Sequence, residues 1–206
     1  TKVLLAGVTP QGRHGATLIA HDAFRDAETR HWFRDADQAV EWAERAILDA
    51  QGLAEHAAVP LAAFPLMEGL SATELKRIEH HFVRRDCAND EVLFQENDPG
   101  DRLCLLASGA VEISIIVPGG ARARIVTNAE GSLFGEAALF DGRPRSATAQ
   151  AVGATVVFEL SRTALAEIAE REPGIMIRLM TNLAKIQSIR MRETNEILRQ
   201  LEDSRG

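Results

Sequence analysis

Phe134-Gly135-Glu136-Ala137-Ala138-Leu139-Phe140-Asp141-Gly142-Arg143-Pro144-Arg145-Ser146-Ala147 decides how this chain is read. A turn glycine is followed at once by an acidic residue and a small apolar run, which predicts one helical turn over residues 135–140. The first amides of a helix have no partners inside it, so they face outward with partial positive charge and suit an anion. Nine residues after Glu136 stands Arg145, a fixed cation whose planar fork of donors matches phosphate oxygens. Glu136 is an acceptor only when ionised and repels phosphate at close range, so it suits sugar hydroxyls instead. Cation, amides and carboxylate together describe a site for a sugar that bears a phosphate.

Outward from this stretch, glycines recur at Gly100, Gly109, Gly120, Gly131, Gly142 and Gly153, with nearly every gap eleven residues. Short β-prone runs lie between them at 102–106, 111–117, 122–127, 148–152 and 155–160. Short strands with regular turns predict an all-β sandwich or barrel, with the glycines in the turns. Helices flank it. Ser71-Ala72-Thr73-Glu74 is a capping box opening a helix through about Phe82, with Leu75, Ile78 and Phe82 on one face. Ser161-Arg162-Thr163 starts a short helix ending near Glu172-Pro173, and a long helix follows from about Gly174 to Leu201. Met176, Leu179, Leu183 and Ile186 form its packing stripe, while Arg190, Arg192, Glu193 and Glu196 mark a more exposed end.

Residues 134–147 resemble the phosphate-binding cassette of the cyclic nucleotide-binding domain: Phe-Gly-Glu, a small residue, Ala-Leu, a variable stretch, then Pro-Arg-Ser-Ala. The resemblance implies that Arg145 pairs with the cyclic phosphate and Glu136 holds the ribose 2′-hydroxyl. Donors would come from the amides near Gly135, Glu136, Ala137 and Ala138 and around Ser146 and Ala147. Arg145 beside Glu136 would make that carboxylate a ligand clamp rather than a proton acceptor. A second segment, Phe94-Gln95-Glu96-Asn97-Asp98-Pro99-Gly100-Asp101-Arg102-Leu103-Cys104-Leu105-Leu106, is similar to a strand-turn segment of the same family. Asn97 stands there in place of the usual Gly and Cys104 in place of the common Tyr; Asn tolerates a left-handed turn. The matches cover about residues 64–200 and imply an α+β fold, an antiparallel, jelly-roll-like β-roll flanked by helices. cAMP and cGMP both fit as ligand, and a pocket that has lost its ligand is the alternative.

Residues 1–50 read differently. Residues 2–8 form a buried-strand pattern, 17–24 a helix, Trp32-Phe33 a short apolar pair, and 35–48 a helix that Asp35 or Asp37 caps. Residues 33–44 resemble the last helix of a STAS domain, so the segment is expected to be the C-terminal part of a STAS-like α/β domain, about half of one, joined by a linker at 51–63. That pairing is similar to the cytosolic tails of bacterial sulfate-permease-type anion transporters and to segments behind some bacterial glutaminase domains. The implied role is a cytoplasmic regulatory domain controlling an attached protein, a transporter first and a glutaminase as the alternative; a ligand-free protein-interaction module is the rival from another class.

Other chemistry is argued against. The 206 residues carry a formal charge of −7, a poor match to the basic footprint of nucleic-acid binding. No helix-turn-helix follows Leu201, and no run of about 18 apolar residues suggests a membrane span. Cys87 and Cys104, neither in a Cys-x-x-Cys pair, are expected as buried free thiols. The adjacent His80 and His81 should diverge by about 100 degrees on a helix and share no metal. No nucleophile–base motif, metal motif or cofactor motif is present, so no catalysis is expected within these residues. A homodimer through the long helix is compatible with its stripe, but the pattern is too short and too broken to favour a coiled coil.

Overall fold

The computed structural model describes residues 2–6, 29–33, 39, 40, 43 and 58–203, the last turns of the final helix by backbone alone. Its main body is a six-stranded antiparallel sheet rolled on itself. The strands are β3 (Phe82–Cys87), β4 (Val92–Phe94), β5 (Arg102–Ile116), β6 (Arg122–Asn128), β7 (Leu133–Phe134) and β8 (Thr148–Ser161). The path runs β3-β8-β5-β6, with β4 on the first half of β8 and β7 on the first half of β5. Two long strands thus each serve two partners, which is what closes the roll.

The glycine pattern overstated the number of breaks. β5 passes through Gly109 and β8 through Gly153 without ending, so four of the expected runs are two continuous strands. Both glycines have positive φ, and the β5–β8 register shifts between Ser108 and Ala110. The extra residues are absorbed as a bulge that sharpens the bend of the roll. Gly120 and Gly131 do sit in turns, at φ 82° and 80°. Asn97 takes φ 72°, the left-handed conformation its place in the turn demanded.

Four helices accompany the roll: α1 (Ala72–Ile78), α2 (Glu136–Asp141), α3 (Arg162–Arg171) and α4 (Pro173–Asp203). The capping box of α1 is present in full: the Glu74 amide donates to Ser71 Oγ at 3.2 Å and the Ser71 amide to Glu74 Oε2 at 2.8 Å. These bonds hold the Glu74 carboxyl below the usual range. α1 stops earlier than expected: a 3-10 turn, Glu79–His81, leads into β3 at Phe82. In that tighter turn the His80 and His81 rings lie 4.0 Å apart rather than diverging. No group of metal-ligating side chains forms among the described residues.

Two apolar clusters fill the structure. One lies between roll and helices and includes Phe64, Ile78, Leu103, Leu105, Leu160, Ile175, Leu179 and Leu183. The other lies inside the roll, with Cys87, Cys104, Leu106, Val111, Phe134 and Val157. Both thiols are free and buried, and burial pushes the Cys104 thiol up to about 12. In the predicted stripe of α4, Leu179 and Leu183 are buried and Met176 and Ile186 pack at the edge of the cluster. The stripe also carries a polar lock. Asn182 is buried and donates from Nδ2 to the carbonyls of Leu66 (3.0 Å) and Glu68 (2.8 Å). Arg178 bonds Gly69 O, and Lys185 pairs with Glu68 at 3.6 Å.

Residues 58–63 are held to the roll by a bond from the Val59 amide to Ala107 O at 2.7 Å, and Leu61–Ala63 form a 3-10 turn. Ahead of them, β1 (Lys2–Ala6) and β2 (Thr29–Phe33) pair in parallel, and Ala39, Val40 and Ala43 are helical. The expected helix at 17–24, the caps at Asp35 and Asp37, and the stretch 51–57 lie outside the described residues. No helix among the described residues is long and apolar enough to cross a membrane.

Candidate functional site: a buried arginine beneath a short helix

The predicted helical turn is α2. Gly135 is its N-cap at φ 75°, and the chain leaves it through Gly142 at φ 70°. α2 seats closely on the turn before β5. A methyl on Gly100 would land on the Cβ of Ala138 and stand 2.9 Å from its carbonyl carbon, so only glycine allows this approach. Arg162, the first residue of α3, fastens the pair from below: Nη2 donates to Gly100 O at 3.1 Å and to Ala138 O at 3.2 Å.

Arg145 is fixed along its whole length. Its amide donates to Asp98 O at 2.8 Å and its carbonyl accepts from the Asn97 amide at 2.8 Å. The residue is 3% exposed. Nη1 donates to Gly135 O at 2.5 Å, Nη2 to Arg102 O at 2.8 Å, and the group stacks 4.1 Å over the Phe94 ring. Asp101 Oδ1 lies 4.0 Å away. Burial pulls this guanidinium below its ordinary value. Its Nε and Thr127 Oγ1 are the buried side-chain polar atoms without a partner among the described residues. A buried N–H left unpaired costs about 1–3 kcal/mol, more on a charged group, so the position calls for an acceptor.

Glu136 is not ion-paired with Arg145, the neighbour expected to hold it ionised. Its Oε1 accepts from Gln187 Nε2 at 2.5 Å and Arg190 Nη1 at 2.9 Å, both from α4. Arg190 also donates to Leu133 O. The end of α4 marked as exposed therefore reaches the cassette at Arg190; Met191 and Arg192 beyond it are exposed. Of the other predicted residues, Ala137 and Ser146 are exposed, Ala138 and Ala147 buried, and Gly135 half-buried. The structure thus brings Gly135, Arg145 and Glu136 to one end of the roll and adds Phe94, Asp101, Arg102, Arg162, Gln187 and Arg190. Phe94, Asp101 and Arg102 lie in the second segment read from the sequence; nothing in the sequence marked Arg162, Gln187 or Arg190 as part of the site.

An apolar cavity of about 80 Å3 lies beneath α4, lined by Phe64, Leu66, Leu105, Leu133, Ile186 and Arg190 among others. It touches the cassette only through Arg190; neither Glu136 nor Arg145 lines it.

Residues 84–172 match the family described as the cyclic nucleotide-binding domain. That stretch is a cyclic nucleotide-binding domain. Over 191 residues, 92% of the chain, it is 33% identical to Glutaminase 1 of Bradyrhizobium diazoefficiens, of which it covers 30%. It is 33% identical over 131 residues, 64% of its length, to the Cyclic AMP receptor protein of Thermus thermophilus, of which it covers 59%. The chain therefore spans about a third to three fifths of these relatives. A cyclic nucleotide-binding domain from Methylobacillus flagellatus superposes with a TM-score of 0.60 at 29% identity, over 64% of this chain and 74% of that one. The cyclic nucleotide-binding domain family is regulatory and non-catalytic, and its β-roll is the fold seen here.

Proposed function

We propose that this domain binds a cyclic nucleotide through Arg145 and Glu136 and uses α4 to report it to an attached protein. The observation that carries the reading is Arg145: a guanidinium closed off from solvent, aimed by two backbone carbonyls, with Nε unpaired. A phosphate oxygen is the acceptor that satisfies its charge and the donors left unbonded, Nε among them. Glu136, at the first position of α2, supplies the acceptor for sugar hydroxyls. The amides of Gly135, Glu136, Ala137 and Ala138, with those of Ser146 and Ala147, supply further donors to the phosphate.

Ligand entry requires movement, because Arg145 is buried and Glu136 is held by Gln187 and Arg190. The sugar must share or take over that carboxylate, so α4 shifts at its Gln187–Arg190 turn and settles over the base. Its first half is anchored by Leu179, Asn182 and Leu183, so the two ends of α4 respond differently, which makes it a two-state element.

The upstream segment fits the C-terminal part of a STAS-like domain. β1 and β2 are parallel, and residues 7–28 between them are long enough for the crossover that parallel strands require. The likeness to Glutaminase 1 across 92% of this chain favours a glutaminase parent over an anion-transporter parent for this arrangement. Either places the domain on the cytosolic side, and a homodimer through α4 is compatible with both. cAMP is the ligand that the name of the Thermus relative supports; cGMP is its competitor.

The test is thermal unfolding with millimolar cAMP, cGMP or adenosine, paired with limited proteolysis of α4. A bound ligand stabilises by mass action, so the cyclic nucleotides raise Tm and change cleavage while adenosine, lacking phosphate, does neither. Equal unfolding and cleavage under all conditions would assign the fold to a ligand-free interaction module instead.

A further inference from the structure

Arg145 sits at one end of a continuous chain of ion pairs that the sequence did not announce. Glu159, near the C-terminal end of β8 and opposite Cys104, is 8% exposed and uses both carboxylate oxygens. Oε1 accepts from Arg85 Nη1 at 3.1 Å and Oε2 from Arg102 Nη1 at 2.8 Å. Arg102 turns its remaining fork on Asp101, with Nε to Oδ1 and Nη2 to Oδ2 both at 2.9 Å. Asp101 Oδ1 then stands 4.0 Å from Arg145 Nη2, which itself bonds the Arg102 carbonyl at 2.8 Å. Arg85 closes the far end on Glu91 at 2.8 Å.

The geometry points to Glu159 as a positioning residue for phosphate recognition, acting through Arg102 and Asp101 on Arg145. This rests on the reading of Arg145 as the phosphate ligand. Asp101 is the nearest anion to Arg145, and a carboxylate free to swing would pair with that guanidinium and compete with phosphate. Arg102 prevents this by holding both oxygens of Asp101 in its fork. Arg102 is itself 41% exposed in its side chain and would be free to leave if nothing held its third donor. The buried carboxylate of Glu159 holds it. A planar fork satisfied on three donors has one geometry, which a lysine cannot reproduce.

Two influences on phosphate affinity oppose each other here. Removing the Glu159 charge makes the surroundings of Arg145 less negative, which favours an anion through space. It also frees Arg102, and with it Asp101, which disfavours the anion. The through-space term acts across Arg102 and is screened by salt, whereas Asp101 stands next to Arg145, so the positioning term dominates.

The experiment measures cyclic nucleotide affinity by calorimetry at low and high salt for the unmutated chain, Glu159→Gln, Arg102→Lys and the double variant, each checked for thermal unfolding. Both single variants are expected to bind about threefold to tenfold more weakly at either salt, and the double variant no more weakly than one of them. Arg102→Lys keeps every charge and is half-exposed, so it folds; its loss reports fork geometry and not electrostatics. Tighter binding by Glu159→Gln that fades with salt, unchanged affinity in Arg102→Lys, or simple addition in the double variant would each overturn the assignment. Absence of binding by the unmutated chain would contradict the phosphate reading itself, and this inference would fall with it.

Discussion

Gly100 shows how far one residue can set a site. α2 carries Glu136, and its closeness to the turn before β5 exists only because Gly100 has no side chain against Ala138. Gly100→Ala forces backbone apart, not a flexible side-chain tip, so overpacking of about 1–3 kcal/mol is expected. It should lower Tm and weaken cyclic nucleotide binding together, since α2 moves with Glu136 on it. Loss of stability with unchanged affinity would show that the site does not depend on this approach. At the same scale, the cassette was legible because its chemistry is local: glycine, carboxylate, arginine and small residues lie within fourteen positions. Arg190, Gln187 and Glu159 were not, because a charged residue on a helix or in a strand looks the same whether it meets solvent or a buried partner. Arg190 was read as a mark of exposure, yet it pairs with Glu136.

At the scale of elements, α4 is two things in sequence order. Its first half is a core helix, fixed by Leu179 and Leu183 and by the Asn182 amide across the carbonyls of Leu66 and Glu68. Its second half touches the cassette through Gln187 and Arg190. Asn182→Ala leaves the buried Leu66 carbonyl without its donor and should cost about 1–3 kcal/mol by denaturant titration. It should also detach the 3-10 turn Pro65–Met67 from α4, seen as faster amide exchange at residues 66–70. Exchange unchanged at those residues would mean that apolar packing alone joins the two. The strands teach a complementary lesson. The eleven-residue glycine spacing located the bends of the roll correctly, but Gly109 and Gly153 bend strands without ending them. Positive φ serves a bulge as well as a turn, and residue type does not distinguish the two.

For the whole molecule, the roll is a frame that presents a buried cation, Arg145, and α4 ties that frame to the turn at residues 65–67 ahead of it. The 3-10 turn Pro65–Met67 follows residues 58–63, and α4 holds it through Asn182. On the proposed function, only that part of an α4 movement that reached Asn182 would be handed toward the N-terminal segment; movement confined to the Gln187–Arg190 turn would stay with the C-terminal end. The proposed route from phosphate to the N-terminal segment rests on Arg145 more than on any other residue. The decisive measurement is calorimetric titration of cAMP and cGMP into the chain and into Arg145→Ala, with folding confirmed for both. The account predicts binding by the unmutated chain and a loss of roughly 1.5–3 kcal/mol, about tenfold to a hundredfold in affinity, in the variant. Equal affinity in a folded Arg145→Ala, or no binding by the unmutated chain, would contradict it.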